Sequence, residues 1–160
     1  MDGVINLLTA LLLAVSSWFG GEVAPAEIVT AKVVEVIDGD TIEVSIDGNE
    51  ERVRYIGVDT PEFDYETGED ECLATEAKSR NEELVGGKSV SLVKDVLERD
   101  DYGRLLRYVE VDGRSVGETL VREGLARAVY FEPDTTSYKH LREVEGEARA
   151  SGAGLWSVCN

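Results

Sequence analysis

The chain has 160 residues, enough for one domain with one packed core, and 42% of them are hydrophobic, which excludes a disordered polymer. Asp and Glu total 33 against 16 Lys and Arg, a net charge of -17, so attraction to nucleic acid through overall charge is excluded. Such a balance fits either a cationic partner or a salt-loaded medium, and 11 arginines against 5 lysines lean towards the second, a halophilic type of acidic surface.

In chain order, Val4 to Phe19 reads VINLLTALLLAVSSWF. This apolar run is shorter than the ~20 residues that cross a bilayer upright, and Ala24-Pro25-Ala26 offers a small-x-small cleavage site. No cation precedes Lys32, so a positive leader is missing. Residues 1–26 are expected to be a signal peptide or an uncleaved N-terminal membrane anchor, with residues 27–160 as the single working domain. The protein is then secreted or held at the cell surface, and membrane contact is confined to the N-terminal segment.

Ile28 to Ile37 is rich in Val and Ile and predicts a strand. A turn, DGDT at 38–41, leads into TIEVSI at 41–46, which alternates strictly. Asp47-Gly48 is a hairpin signal, and ERVRYIGV at 51–58 predicts the third strand. The acidic stretch 63–71 reads as a solvated loop. A helix follows over 73–85, stopped by Gly86-Gly87. Strands are predicted at 88–94 and 104–111. Ser115 and Glu118 have capping-box spacing for a helix running to Gly124. A last helix starts near 135–137 and ends at Gly152, with Leu155-Trp156 packing back on the core. The order β-β-β-α-β-β-α-α predicts an α+β fold: a five-stranded OB-fold barrel with one helix between strands 3 and 4 and two C-terminal helices.

Two carboxylate-bearing turns stand at neighbouring strand ends. Asp40 closes the first turn; Asp59 and Glu62 leave the third strand in the string VRYIGVDTPE. Asp40, Asp59 and the Thr60 carbonyl supply the oxygen ligands that a hard cation such as Ca²⁺ takes. Pro61 biases Thr60 away from helix. Glu62 stands beside them, free to activate water. Arg54 precedes the acids and Arg104 opens the fifth strand, two planar donors suited to phosphate. Each fragment alone is ordinary: DGDT is usually a plain turn, and the arginine of YGR is usually a solvated charge. Together they describe metal-assisted phosphodiester hydrolysis. The lone His140 reads as a surface or packing residue. Cys72 and Cys159 lack metal-ligand spacing. In an exported protein such an isolated pair suggests one disulfide, the other possibility being two buried thiols.

The ordered strings IDGDT, RYIGVDTPE, EAK, RDDYGRLLRYV, LVREGLA and GLW resemble the staphylococcal nuclease-like (thermonuclease) family over about Val29 to Trp156. The resemblance implies an OB-fold enzyme, a Ca²⁺-dependent nuclease cleaving DNA and RNA to 3′-phosphate products, and a monomer. It implies Asp40, Asp59 and Thr60 as metal ligands, Glu62 as the base, and Arg54 and Arg104 as the catalytic arginines. It places Tyr102 and Tyr130 in the nucleotide pocket, and Cys72 and Cys159 resemble a cysteine pair found in part of the family. Two departures stand out: Asp101 where a basic residue is common, and an acidic 63–71 loop where the secreted bacterial form is basic. The alternative is a non-catalytic nucleic-acid-binding module of the same fold, but a relic would have lost some of Asp40, Arg54, Glu62 or Arg104, and all are present.

Overall fold

The computed structural model describes residues 27–64 and 66–159. The apolar N-terminal run, with the signal or anchor role expected of it, lies outside the described residues.

Strands β1 (Ile28–Val36), β2 (Thr41–Ile46) and β3 (Asn49–Tyr55) form an antiparallel meander. The β2–β3 turn works as its sequence requires: Asp47 and Gly48 both take positive φ, 51° and 85°, the conformation a two-residue hairpin needs. Inside β1 the alternation is reset by a bulge between Val33 and Glu35. Ala31, Val33 and Val36 therefore all face the core, while Val34 is turned to solvent.

The third strand is shorter than its apolar pattern predicts. It ends at Tyr55, and the chain bends at Gly57, whose φ of +76° interrupts the extended run. Val58 and Asp59 then form a separate two-residue strand, β4, paired with β8 (Arg127–Ala128). This bend sends Asp59 away from the barrel wall.

Helix α1 (Ala74–Val85) follows, with β5 (Ser89–Val93) and β6 (Leu105–Val111) after it. Sheet order β3-β2-β1-β5-β6 closes on itself because β6 also pairs in parallel with β3, Arg54 opposite Leu106. The expected five-stranded barrel is thus formed, with Ile42, Val44, Val53, Val90, Leu92, Leu105 and Val109 filling it. A short β7 (Arg114–Ser115) enters α2 (Val116–Arg122), and α3 (Tyr138–Ser151) and the single turn α4 (Leu155–Val158) complete the chain. Helices α2 and α3 pack Leu120 and Val121 beside Leu141 and Val144 against the barrel.

The capping box is half formed. Ser115 Oγ accepts from the Glu118 amide at 3.2 Å, but the Glu118 carboxylate is drawn away to Arg122 and His140. His140 therefore serves a surface ion-pair network between α2 and α3.

One buried polar tie reaches from α1 to the turn that carries Asp40. Asn81 accepts the Tyr55 hydroxyl at 2.9 Å and donates to the Asp38 carbonyl at 3.0 Å. At the other end of α1, Cys72 is bonded to Cys159, anchoring the last turn of the chain across 87 residues. A loop of that length gives a cross-link worth about 4 kcal/mol in the chain-entropy view, an upper figure. Reduction is expected to shift the urea midpoint down without abolishing the barrel. Intact mass under non-reducing conditions reports the bond directly; two free thiols in the folded protein would remove it.

Candidate active site

The site is built on the ends of β2, β3 and β4. Asp40 sits at the entrance to β2 with its backbone fixed from both sides: its amide donates to Asp38 Oδ1 at 2.9 Å, and its carbonyl accepts the Tyr55 amide at 2.9 Å. Its carboxylate is 0% exposed. Oδ2 accepts both the amide and the hydroxyl of Thr60, at 2.9 and 3.1 Å. Oδ1 faces Arg54 Nε at 3.1 Å and takes the Thr41 hydroxyl at 3.3 Å. Thr60 presses so closely on this turn that a Cβ on Gly39 would lie 2.6 Å from its Oγ1. Any larger residue there would have to displace the Thr60 side chain.

Arg54 points out of the barrel, since its neighbours Val53 and Tyr55 point in. Its guanidinium is used on every nitrogen. Nη1 donates to the carbonyls of Tyr55 and Val58, each at 2.8 Å, and Nη2 to Asp59 Oδ1 at 3.0 Å. One arginine thereby pins the bend at Gly57 and draws Asp40 and Asp59 together.

Asp40, Asp59 and Glu62 each offer a carboxylate oxygen, and these oxygens lie within 4.8 Å of one another. Burial pushes the Asp40 carboxyl up to about 7, against the pull of Arg54, and Asp38 and Glu62 add to the rise. Glu62 is also raised, by partial burial first and then by Asp38. So much negative charge in one place asks for a cation beyond Arg54. Three carboxylates at close range, two of them exposed, fit a hard, oxygen-seeking dication. Glu62 also borders an open acidic depression with Asp64, Glu66, Glu69 and Glu71.

Arg104 faces Arg54 from the start of β6. The two line one cleft of about 120 Å³ with Asp100, Leu106, Val129 and Phe131. Asp100 holds Arg104 in place: Oδ1 accepts its backbone amide at 2.9 Å and Oδ2 its Nε at 2.7 Å. Burial works to raise the Asp100 carboxyl, but its bonds to Arg104 keep it below the usual carboxylate range. Arg54 spends all three guanidinium nitrogens on backbone and carboxylates, whereas the bond of the Arg104 guanidinium to Asp100 is made by Nε.

The structure thus brings Asp40, Arg54, Asp59, Thr60 and Glu62 into one cluster, with Arg104 across the cleft. Tyr102 is 86% exposed, its ring 5.4 Å from the Arg104 guanidinium. Tyr130 packs edge-on against Tyr138, with ring centroids 5.1 Å apart, and does not line the cleft; its neighbour Phe131 does. Asp38, Asn81, Asp100 and Phe131 belong to the site's support and were not singled out by the sequence. Asp38 had a signal in the Asx turn of DGD, and Asp100 had one in its spacing of four from Arg104. Asn81 had none.

Comparison with known proteins places the chain in a family. A family model described as staphylococcal nuclease homologue matches residues 52–158. The chain is 42% identical over 133 residues to the SPbeta prophage-derived endonuclease YokF of Bacillus subtilis, covering 82% of this chain and 45% of that protein. It is 43% identical over 133 residues to the endonuclease YncB of the same organism, covering 82% of this chain and 63% of that one. The chain therefore spans about half to two thirds of the length of these relatives. With the thermonuclease of Staphylococcus hyicus it shares 36% identity over 128 residues, 80% of this chain and 76% of the relative. On the extent of these matches and on the closed barrel beneath them, the chain belongs to the staphylococcal nuclease homologue family.

Proposed function

We propose that this protein is a Ca²⁺-dependent nuclease that hydrolyses phosphodiester bonds of DNA and RNA, working as a monomer outside the cell. The observation that carries the reading is the cluster of Asp40, Asp59 and Glu62 beside two arginines that share one cleft. Three carboxylates alone describe a cation site. Two arginines alone describe an anion site. Adjacent, they describe a site for a cation and a phosphate together.

Asp40 and Asp59, with the Thr60 carbonyl, would hold the ion. Bound there, it would supply positive charge to offset the charge that builds on the scissile phosphate. Glu62, its carboxyl raised by partial burial and then by Asp38, orients a water and takes its proton as the water oxygen attacks phosphorus. The bond from phosphorus to the 5′ oxygen breaks, that oxygen takes up a proton, and the phosphate stays on the 3′ side. Arg104, which lines the cleft, supplies the planar contact that strengthens as charge builds on the phosphoryl oxygens. Arg54 has a double part. It adds charge to the same cleft and keeps the carboxylates in place. An extracellular setting is supported by the Cys72–Cys159 bond, which suits an oxidising compartment, and by the apolar run at 4–19.

Four outcomes are expected. The protein degrades single-stranded DNA with Ca²⁺ and stops on addition of chelator; cleavage that survives chelator ends the metal's part. Arg104→Ala lowers kcat/KM by a factor of about 100 or more, on the scale of one lost transition-state donor, while its melting temperature moves little. Arg54→Ala loses activity and also stability, by about 3–5 kcal/mol, because it strips the partner from a buried carboxylate; equal stability of the two variants would refute the double part of Arg54. Gly39→Ala folds but forces Thr60 away from Asp40, so it loses Ca²⁺ affinity in a calcium titration, and wild-type affinity would show that the turn has room to give.

A further inference from the structure

Two loops supply walls of the cleft that Arg54 and Arg104 share. The first follows β5 and runs from Lys94 to Arg104; the second follows β8 and runs from Val129 to Ser137. They are fastened to each other by two carboxylates facing opposite ways. Asp95, on the first loop, accepts the Thr136 amide at 3.1 Å and the Thr136 hydroxyl at 2.9 Å. Asp134, on the second, accepts the amides of Val96 and Leu97 at 2.7 and 2.9 Å. Tyr108 ties the pair to the barrel: its hydroxyl donates to Asp95 at 2.8 Å and accepts the Ser137 amide at 3.3 Å.

Asp134 is fully buried, and all its bonds fall on Oδ1; Oδ2 has no partner. A buried carboxyl with one oxygen unused is an expensive way to close a loop, since asparagine offers the same Oδ1 at no cost in charge. The chain on either side of the clasp leads into the cleft. Beyond Leu97 the first loop reaches Asp100, which holds Arg104. Before Asp134 the second loop carries Val129 and Phe131, which line the same cleft.

We propose that Asp95 and Asp134 are positioning residues: their reciprocal clasp sets the spacing of the two walls and so the affinity of the cleft for a nucleotide, without touching the reacting atoms. The proposal rests on the nuclease reading above. It separates two properties that a purely structural role would move together, since the clasp governs how substrate is held while Arg104, Glu62 and the carboxylate cluster govern turnover.

The test compares Asp134→Ala, Asp134→Asn and Thr136→Val with the wild type on a short single-stranded oligonucleotide with Ca²⁺. Asp134→Ala is expected to raise KM about tenfold with kcat changed less than about twofold, the pattern of lost uniform binding. Thr136→Val, which removes one donor to Asp95, raises KM less, and Asp134→Asn, which keeps Oδ1, restores it. Wild-type KM in a folded Asp134→Ala protein, or kcat falling as steeply as KM rises, overturns the clasp. If Asp134→Ala fails to fold, an unchanged KM in Thr136→Val does the same. The dissociation constant of a fluorescein-labelled oligonucleotide, measured in parallel, separates the two readings. A wild type that binds without cleaving contradicts the nuclease reading alone, and the clasp then requires the dissociation constants to weaken in the same order. A wild type that does not bind overturns both.

Discussion

The contact between Arg54 and the buried Asp40 carboxylate is the constraint around which the site is arranged. A carboxylate removed from water is costly unless it is paired and hydrogen-bonded. Here it is both, through Arg54 on one oxygen and Thr60 on the other. The same guanidinium reaches the carbonyls of Tyr55 and Val58 and so bridges the two sides of the bend at Gly57. It also reaches Asp59, the second acid of the cluster. One side chain therefore joins a strand end, a bend and two carboxylates. The Asn81 bridge from α1 secures the same turn from behind. The cluster is a property of the fold.

The arginines divide their work. Arg54 is consumed by internal contacts, whereas Arg104 is held at its backbone amide and Nε by Asp100 and lies 5.4 Å from the Tyr102 ring. In the proposed nuclease, the second arrangement would leave the Nη groups for a substrate phosphate. On a chain with net charge -17 this matters, because long-range attraction cannot gather a polyanion. In the proposed reading, capture would depend on the short-range contacts of the cleft and on the ion, and screening by salt, which weakens the repulsion, would help. The acidic depression beside Glu62 works in the opposite direction for phosphate but in the favourable direction for a cation.

Most of the barrel was legible in the sequence, since strict alternation in TIEVSI and the two Asp-Gly turns translate directly into strands and hairpins. The cluster was legible as well, because DGDT and VDTPE end strands that must be neighbours in a meander. What escaped was whatever depends on contacts between distant segments. The third strand reads as continuous through Val58, and its break goes with the positive φ of Gly57, the bond from Arg54 to the Val58 carbonyl and the pairing of β4 with β8. The Glu118 half of the capping box lost to a tertiary ion-pair network with Arg122 and His140. Tyr130 and Phe131 are adjacent, and sequence alone cannot say which of two neighbours turns into a cleft; packing against Tyr138 settles it. Asn81 is silent in the sequence because a buried asparagine on a helix carries no pattern.

The central claim is that the carboxylates gathered by Arg54 form one cation site on the folded chain. The most direct measurement is calorimetric titration of Ca²⁺ into the metal-free protein and into Asp40→Asn, with nucleic acid absent. The account predicts one site in the wild type, lost or weakened by at least about tenfold (1.4 kcal/mol) in a folded Asp40→Asn protein. Equal Ca²⁺ affinity in the two proteins would contradict it.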